Sequence, residues 1–109
     1  MMKMNKEYRL QLIEHFTNKC SMAIELAKKV ADMNCELYDA LCSHNVRFVF
    51  EKKDGTLRDA YGTMRHEATP PLTGTGRPLS FDLQLYFDLD KMAWRSFKKA
   101  NLVSYEICE

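Results

Sequence analysis

The patterning of this chain specifies an α+β domain in which helices come first and five short antiparallel strands follow, curling into a partly open barrel. Three observations carry that expectation. Apolar residues recur at three- to four-residue spacing up to about residue 43. Beyond it they alternate with polar ones, most strictly in FDLQLYFDLD, from Phe81 to Asp90. All three prolines and two of the four glycines fall in residues 65–80, a loop that no regular element should cross.

A chain of 109 residues with 46% hydrophobic composition has material for one core. A chain of that size buries roughly 65% of its unfolded surface. The reading divides it into a helical segment, 1–44, and a barrel, 45–109, within a single compact domain. Net charge is +1, so no overall field draws the protein to nucleic acid, and a polyanion site would have to be a local patch. The cysteines at 20, 35, 42 and 108 lack the spacing of a disulfide scaffold and read as reduced thiols. MMKMNKEYRLQLIEHF has no apolar core of a signal peptide, and no run is long enough to span a membrane. A cytoplasmic protein is expected.

From Asn5 to about Val30, Tyr8, Leu12, Phe16, Cys20, Ala27 and Val30 make one helical stripe, continuous or broken near Thr17-Asn18. Asp32 or Asn34 is placed to cap a second helix, Cys35 to Ser43, with Leu37 and Leu41 turned inward. VRFVFE (Val46–Glu51) and Thr56–Met64 flank KKDG, and Asp-Gly between strand-like runs is a hairpin signal. Val46, Phe48 and Phe50 should face the core. Gly62 inside the second run marks a bulge or a close backbone approach. After the Pro/Gly loop, Phe81, Leu83, Leu85, Phe87 and Leu89 are expected on the core side, with Tyr86 outward. A turn at Asp88–Lys91 leads to a strand Ala93–Lys98, which holds the only Trp, and NLVSY (Asn101–Tyr105) ends the sheet.

From Val46 to Tyr105 the chain resembles a family of small bacterial and phage proteins classed as WYL-like domains with an SH3-like or Sm-like β-barrel. The resemblance lies in FEKKDGTL (Phe50–Leu57), GTGR (Gly74–Arg77) and YFDLDKMAWRSF (Tyr86–Phe97) followed by Asn101-Leu102-Val103. It implies the barrel and a binding role, and it carries no assigned reaction.

The strand AWRSF poses a register conflict. With the Phe97 face inside, Arg95 needs a buried partner, because unpaired burial of its charge would be prohibitive. With the Trp94 face inside, Arg95, Phe97 and an outward Tyr86 would form a patch able to stack nucleobases. A bulge near Ser96 would bury Phe97 and leave Arg95 to pair with Asp88 or Asp90 at the surface. Lys52, Lys53, Arg58, Arg77, Arg95, Lys98 and Lys99 are candidate phosphate contacts, although interleaved acids make a solvated mixed surface.

The ligand set drawn from these residues is Arg95, Tyr86, Phe97, Lys98, Lys99 and Arg77, meeting a nucleic acid or a small anionic ligand. GTGR lacks the Lys-Ser/Thr of a phosphate loop, and Cys and His spacings do not read as a metal site. No cofactor or metal is expected, and no nucleophile motif or His constellation points to an enzyme. The second reading is an adaptor. If unbroken, the N-terminal stripe exceeds the width of a small barrel, so Tyr8, Leu12 and Phe16 would bury against a second copy or a partner helix.

Overall fold

The computed structural model describes residues 6–72 and 79–108. Two helices, α1 (Lys6–Lys19) and α2 (Ile24–Ser43), precede five strands: β1 (Asn45–Glu51), β2 (Leu57–Thr63), β3 (Leu83–Asp88), β4 (Ala93–Lys98) and β5 (Leu102–Cys108). The strands form one antiparallel sheet in the order β4-β3-β2-β1-β5. It curls without closing, so β4 and β5 remain its edges. β2 and β3 pair only at Gly62 with Asp88 and Thr63 with Phe87, and this short splice turns the sheet back over itself.

The helical boundaries differ from the expected ones. The run is broken near Thr17-Asn18, as one of the two alternatives had it, with α1 continuing to Lys19. Thr17 is helical and donates its hydroxyl back to the Ile13 and Glu14 carbonyls. Ser21 takes the left-handed conformation (φ 55°), and the Met22 N–H then donates to the Phe16 carbonyl to close the helix end. Asp32 and Asn34 do not cap a second helix, because each has a tertiary partner. The Asp32 carboxylate is bound by the Arg9 guanidinium across the α1–α2 interface. Asn34 is buried and donates to both Val30 O and Lys99 O, each at 2.9 Å, tying α2 to the short 3-10 turn Lys99–Asn101. With both residues so employed, nothing interrupts α2.

α2 serves two cores. Ala27, Val30 and Ala31 pack on Leu12, Ile13 and Phe16 of α1. Leu37, Ala40 and Leu41 plug the barrel against Val46, Phe48, Phe50, Ala60, Tyr86, Phe97 and Leu102. The β1 face is the expected one. Its hairpin loop runs from Lys52 to Thr56, with Gly55 at φ +88° and the Asp54 carboxylate accepting from the Thr56 N–H and hydroxyl. β5 carries an irregularity opposite Val49 and Phe50, which leaves Val103 without a partner in the register.

On β3 the alternation is present but the expected face is inverted. Gln84, Tyr86 and Asp88 point into the barrel, and Leu83, Leu85 and Phe87 away from it. Tyr86 is only 1% exposed, packed edge-on against Phe48 at 4.9 Å. Its ring lies over Gly62, where an added Cβ would sit 2.6 Å from Tyr86 Cδ2. Phe87 is buried on the opposite side, edge-on to Trp94 at 5.4 Å. Phe81 precedes the strand and is 39% exposed.

Candidate functional site

The register conflict on β4 resolves without a bulge, since pairing to β3 is regular from Leu83–Lys98 to Asp88–Ala93. Phe97 faces inward, stacked on Phe50 at 5.1 Å and 19°. Arg95 points to that side but lies at its open rim, its side chain 45% exposed, and its neighbour there is Asp88. Asp88 is fully buried and fully used. Its Oδ1 accepts the Asp90 and Lys91 N–H groups of the following turn, each at 3.0 Å. Its Oδ2 accepts from Arg58 at 2.6 Å and lies 3.7 Å from Arg95 Nε. Arg95, Tyr86 and Phe97 therefore do share one face, as a stacking patch would require. It is the interior face, so Tyr86 and Phe97 are core side chains and present no outward platform.

The N-terminal contacts are likewise internal. Leu12 and Phe16 have no exposed surface, because α2 covers them. Tyr8 is half-buried, with the Phe81 ring edge-on at 5.9 Å. The interface expected of these three residues is thus within the chain. Arg77 and the GTGR turn lie outside the described residues.

Lys99 is not a surface cation. It is 6% exposed, with its Nζ 4.3 Å from the Phe81 ring centroid and 5.0 Å from that of Tyr8. Burial lowers its pKa to about 8, against the opposing pull of Asp82 and Cys35. Burial also raises the Tyr8 hydroxyl to about 12.

Lys98 is different: it is exposed, and it stands at the centre of a groove. A cleft of about 320 Å³ is lined by His15, Lys19, Cys20, Asp82, Lys98, Ala100 and Asn101. His15 and Lys19 also wall a second cleft of about 380 Å³ with Gln11, Glu14, Asn18 and Phe81. Lys98 and Asn101 also wall a third, of about 270 Å³, with Lys52 and Lys53 of the β1–β2 loop. The three clefts are neighbours, the first two sharing His15 and Lys19 and the last two Lys98 and Asn101, and they form a grooved surface from the end of α1 to the first hairpin. Asn101 donates its side-chain amide to Glu51 O at 3.0 Å, tying the 3-10 turn to the end of β1. Asp82 accepts the Ser80 hydroxyl, which holds its carboxyl below the usual range, with His15 and Lys98 adding smaller effects. A cleft of about 460 Å³ between Trp94 and Pro70-Pro71-Leu72 offers His66 as its sole ionisable wall residue among those described.

Of the expected phosphate contacts, the fold brings Lys52, Lys53 and Lys98 together, sends Arg58 and Arg95 to Asp88, and turns Lys99 inward. His15, Lys19, Phe81 and Asn101 join these clefts without being among the expected site residues. The one signal for them was the spacing of His15 and Lys19, four apart on the wet side of the Phe16 stripe. Among the described residues no three His, Cys, Asp or Glu side chains are placed to hold a metal ion, and no helix is long and apolar enough to cross a membrane. All four cysteines are free thiols.

Helices capping a curled five-stranded antiparallel sheet define a small β-barrel domain. A family model described as WYL_2, Sm-like SH3 beta-barrel fold, matches residues 34–103, well over half of the chain, and the protein belongs to that family. The match begins inside α2, so α1 lies outside it. Neither a curated protein nor a solved structure matches the chain.

Proposed function

We propose that this protein is a non-enzymatic binding module whose groove between α1 and the barrel takes a small anionic ligand. The observation that supports it is the convergence of Lys19, Lys98, Lys52 and Lys53 on three clefts with shared walls. These ammonium groups come from three separate elements, and each is exposed, free to meet a phosphate or carboxylate. Glu14, Asp82 and Glu51 alternate with them along the groove. That alternation, with a net charge of +1, disfavours a long polyanion and favours a compact one. A nucleic-acid strand is therefore the lesser candidate, and the adaptor reading loses its surface with Leu12 and Phe16 buried.

Titration with inorganic phosphate, pyrophosphate and short single-stranded oligonucleotides at low and high salt tests this. Binding of the small anions should weaken as salt rises and should fall at least tenfold in Lys98→Glu, a substitution at an exposed side chain. Binding by oligonucleotides alone, or small-anion binding indifferent to Lys98, would contradict it.

A further inference from the structure

The groove contains two compartments of different chemistry that meet at His15 and Lys19. One has an aromatic wall, Phe81 with His15 edge-on to it at 5.5 Å and 75°, and an amide rim from Gln11 and Asn18. The other has Lys19, Lys98 and the Asn101 amide. Lys99 holds the Phe81 ring from behind. It is buried and does not line the cleft, so the ring surface open to the cleft is one that Lys99 leaves free. An ammonium on one face of a ring draws electron density towards itself and makes the rest of the ring a better partner for an electron-rich plane.

Resting on the anion reading above, we propose that the ligand is an aromatic anion with the chemistry of a nucleoside monophosphate. Its planar heterocycle stacks on Phe81 beside the Gln11 and Asn18 amides, and its phosphate reaches Lys19 and Lys98. At about 380 and 320 Å³ each cleft is at the small-ligand end of pocket sizes, so the pair has room for such a molecule. Two ammonium groups, Lys19 and Lys98, and two carboxylates, Glu14 and Asp82, line the two clefts, with Asp82 accepting the Ser80 hydroxyl. Glu14, on the amide side, is an acceptor for an exocyclic amine. Gln11, His15, Asn18 and Lys19 come from α1, outside the family match, whereas Phe81 lies within it.

The test compares adenosine monophosphate, ribose 5-phosphate and inorganic phosphate by calorimetry on the full chain. Base stacking should make the monophosphate bind about tenfold tighter than ribose 5-phosphate. Phe81→Leu should erase that difference and leave ribose 5-phosphate unchanged, whereas Lys98→Gln should weaken all three. Because Phe81 also supports Lys99, Gln11→Ala at an exposed helical position provides a second variant, expected to weaken the monophosphate alone. Equal, Lys98-dependent affinities for the monophosphate and ribose 5-phosphate would overturn the aromatic inference while leaving the anion reading standing. No binding of any of the three would overturn both.

Discussion

Asp88 is the residue on which the barrel mouth depends. A buried carboxylate is tolerated only when its charge and its lone pairs are both met, and Arg58, Arg95 and two turn amides meet them here. Asp88→Ala would strand the Arg58 guanidinium and two N–H groups. It should cost about 2–3 kcal/mol in denaturant unfolding, since Arg58 and Arg95 remain partly hydrated, with Asp88→Asn intermediate because its amide oxygen still serves the turn. A loss under about 1 kcal/mol for the alanine variant would show the cluster to be dispensable. Gly62→Ala tests the neighbouring close approach. Its new methyl would meet Tyr86 Cδ2 at 2.6 Å and Phe87 O at 2.9 Å, so one strand must shift, at about 1–3 kcal/mol. These two residues also show what was legible at this scale. A close approach was one of the two readings of Gly62, and a pairing of Arg95 with Asp88 was among those open for β4, both from side-chain chemistry. The inversion of β3 was not legible, because hydropathy ranks Leu83 and Leu85 above Gln84 and Asp88. It is blind to the Arg58 partner that lets Asp88 go inside.

At the scale of elements, helix α1 meets the rest of the chain through two kinds of contact. Its apolar stripe packs on α2, and its first turn places Tyr8 over Lys99. The second contact carries a pH dependence whose sign is fixed. The native Lys99 amine has a pKa of about 8, below the ordinary 10.5, so between those values the unfolded chain binds more protons than the folded one. Stability from this group therefore rises with pH across that window and is flat below it. Tyr8 acts the other way and higher up. Its pKa is raised to about 12 from 10, so the stability it contributes is present below pH 10 and lost above it. Cys35, which faces the same ammonium from α2, is raised by burial and also costs stability once the unfolded thiol ionises. Subtracting Lys99→Met from wild type isolates the amine. The difference in unfolding free energy should increasingly favour wild type from pH 8 to 9.5, and a constant difference would place the ammonium in water. None of this was legible beforehand, since a Lys-Lys pair beside a strand reads as solvated until the turn Lys99–Asn101 rotates one of them inward. Helix boundaries failed for a related reason: Asp32 and Asn34 have the chemistry of caps, and only the fold supplies Arg9 and the Lys99 carbonyl as rival partners.

Taken as one molecule, the chain has two apolar cores joined by a single helix. The α1–α2 core holds Leu12, Ile13, Phe16, Ala27, Val30 and Ala31, whereas the barrel core is built from α2 and all five strands. The groove lies across the seam between them, with α1 as one wall and β1–β2 and Lys98–Asn101 as the other. Regions with fewer buried contacts open first, below the free energy of global unfolding. The smaller core should therefore release α1 as a unit while the sheet persists. Native-state hydrogen exchange would show it as a shared, lower protection for α1 amides such as Ile13 and Phe16 than for Phe48 in β1. A ligand that bridges the groove binds only the docked state, so it should raise α1 protection selectively, by an amount set by its concentration over its dissociation constant. If α1 and Phe48 instead exchange at one common free energy, the two cores unfold together. The groove is then a fixed feature of a single cooperative unit, and a ligand would protect helix and sheet alike.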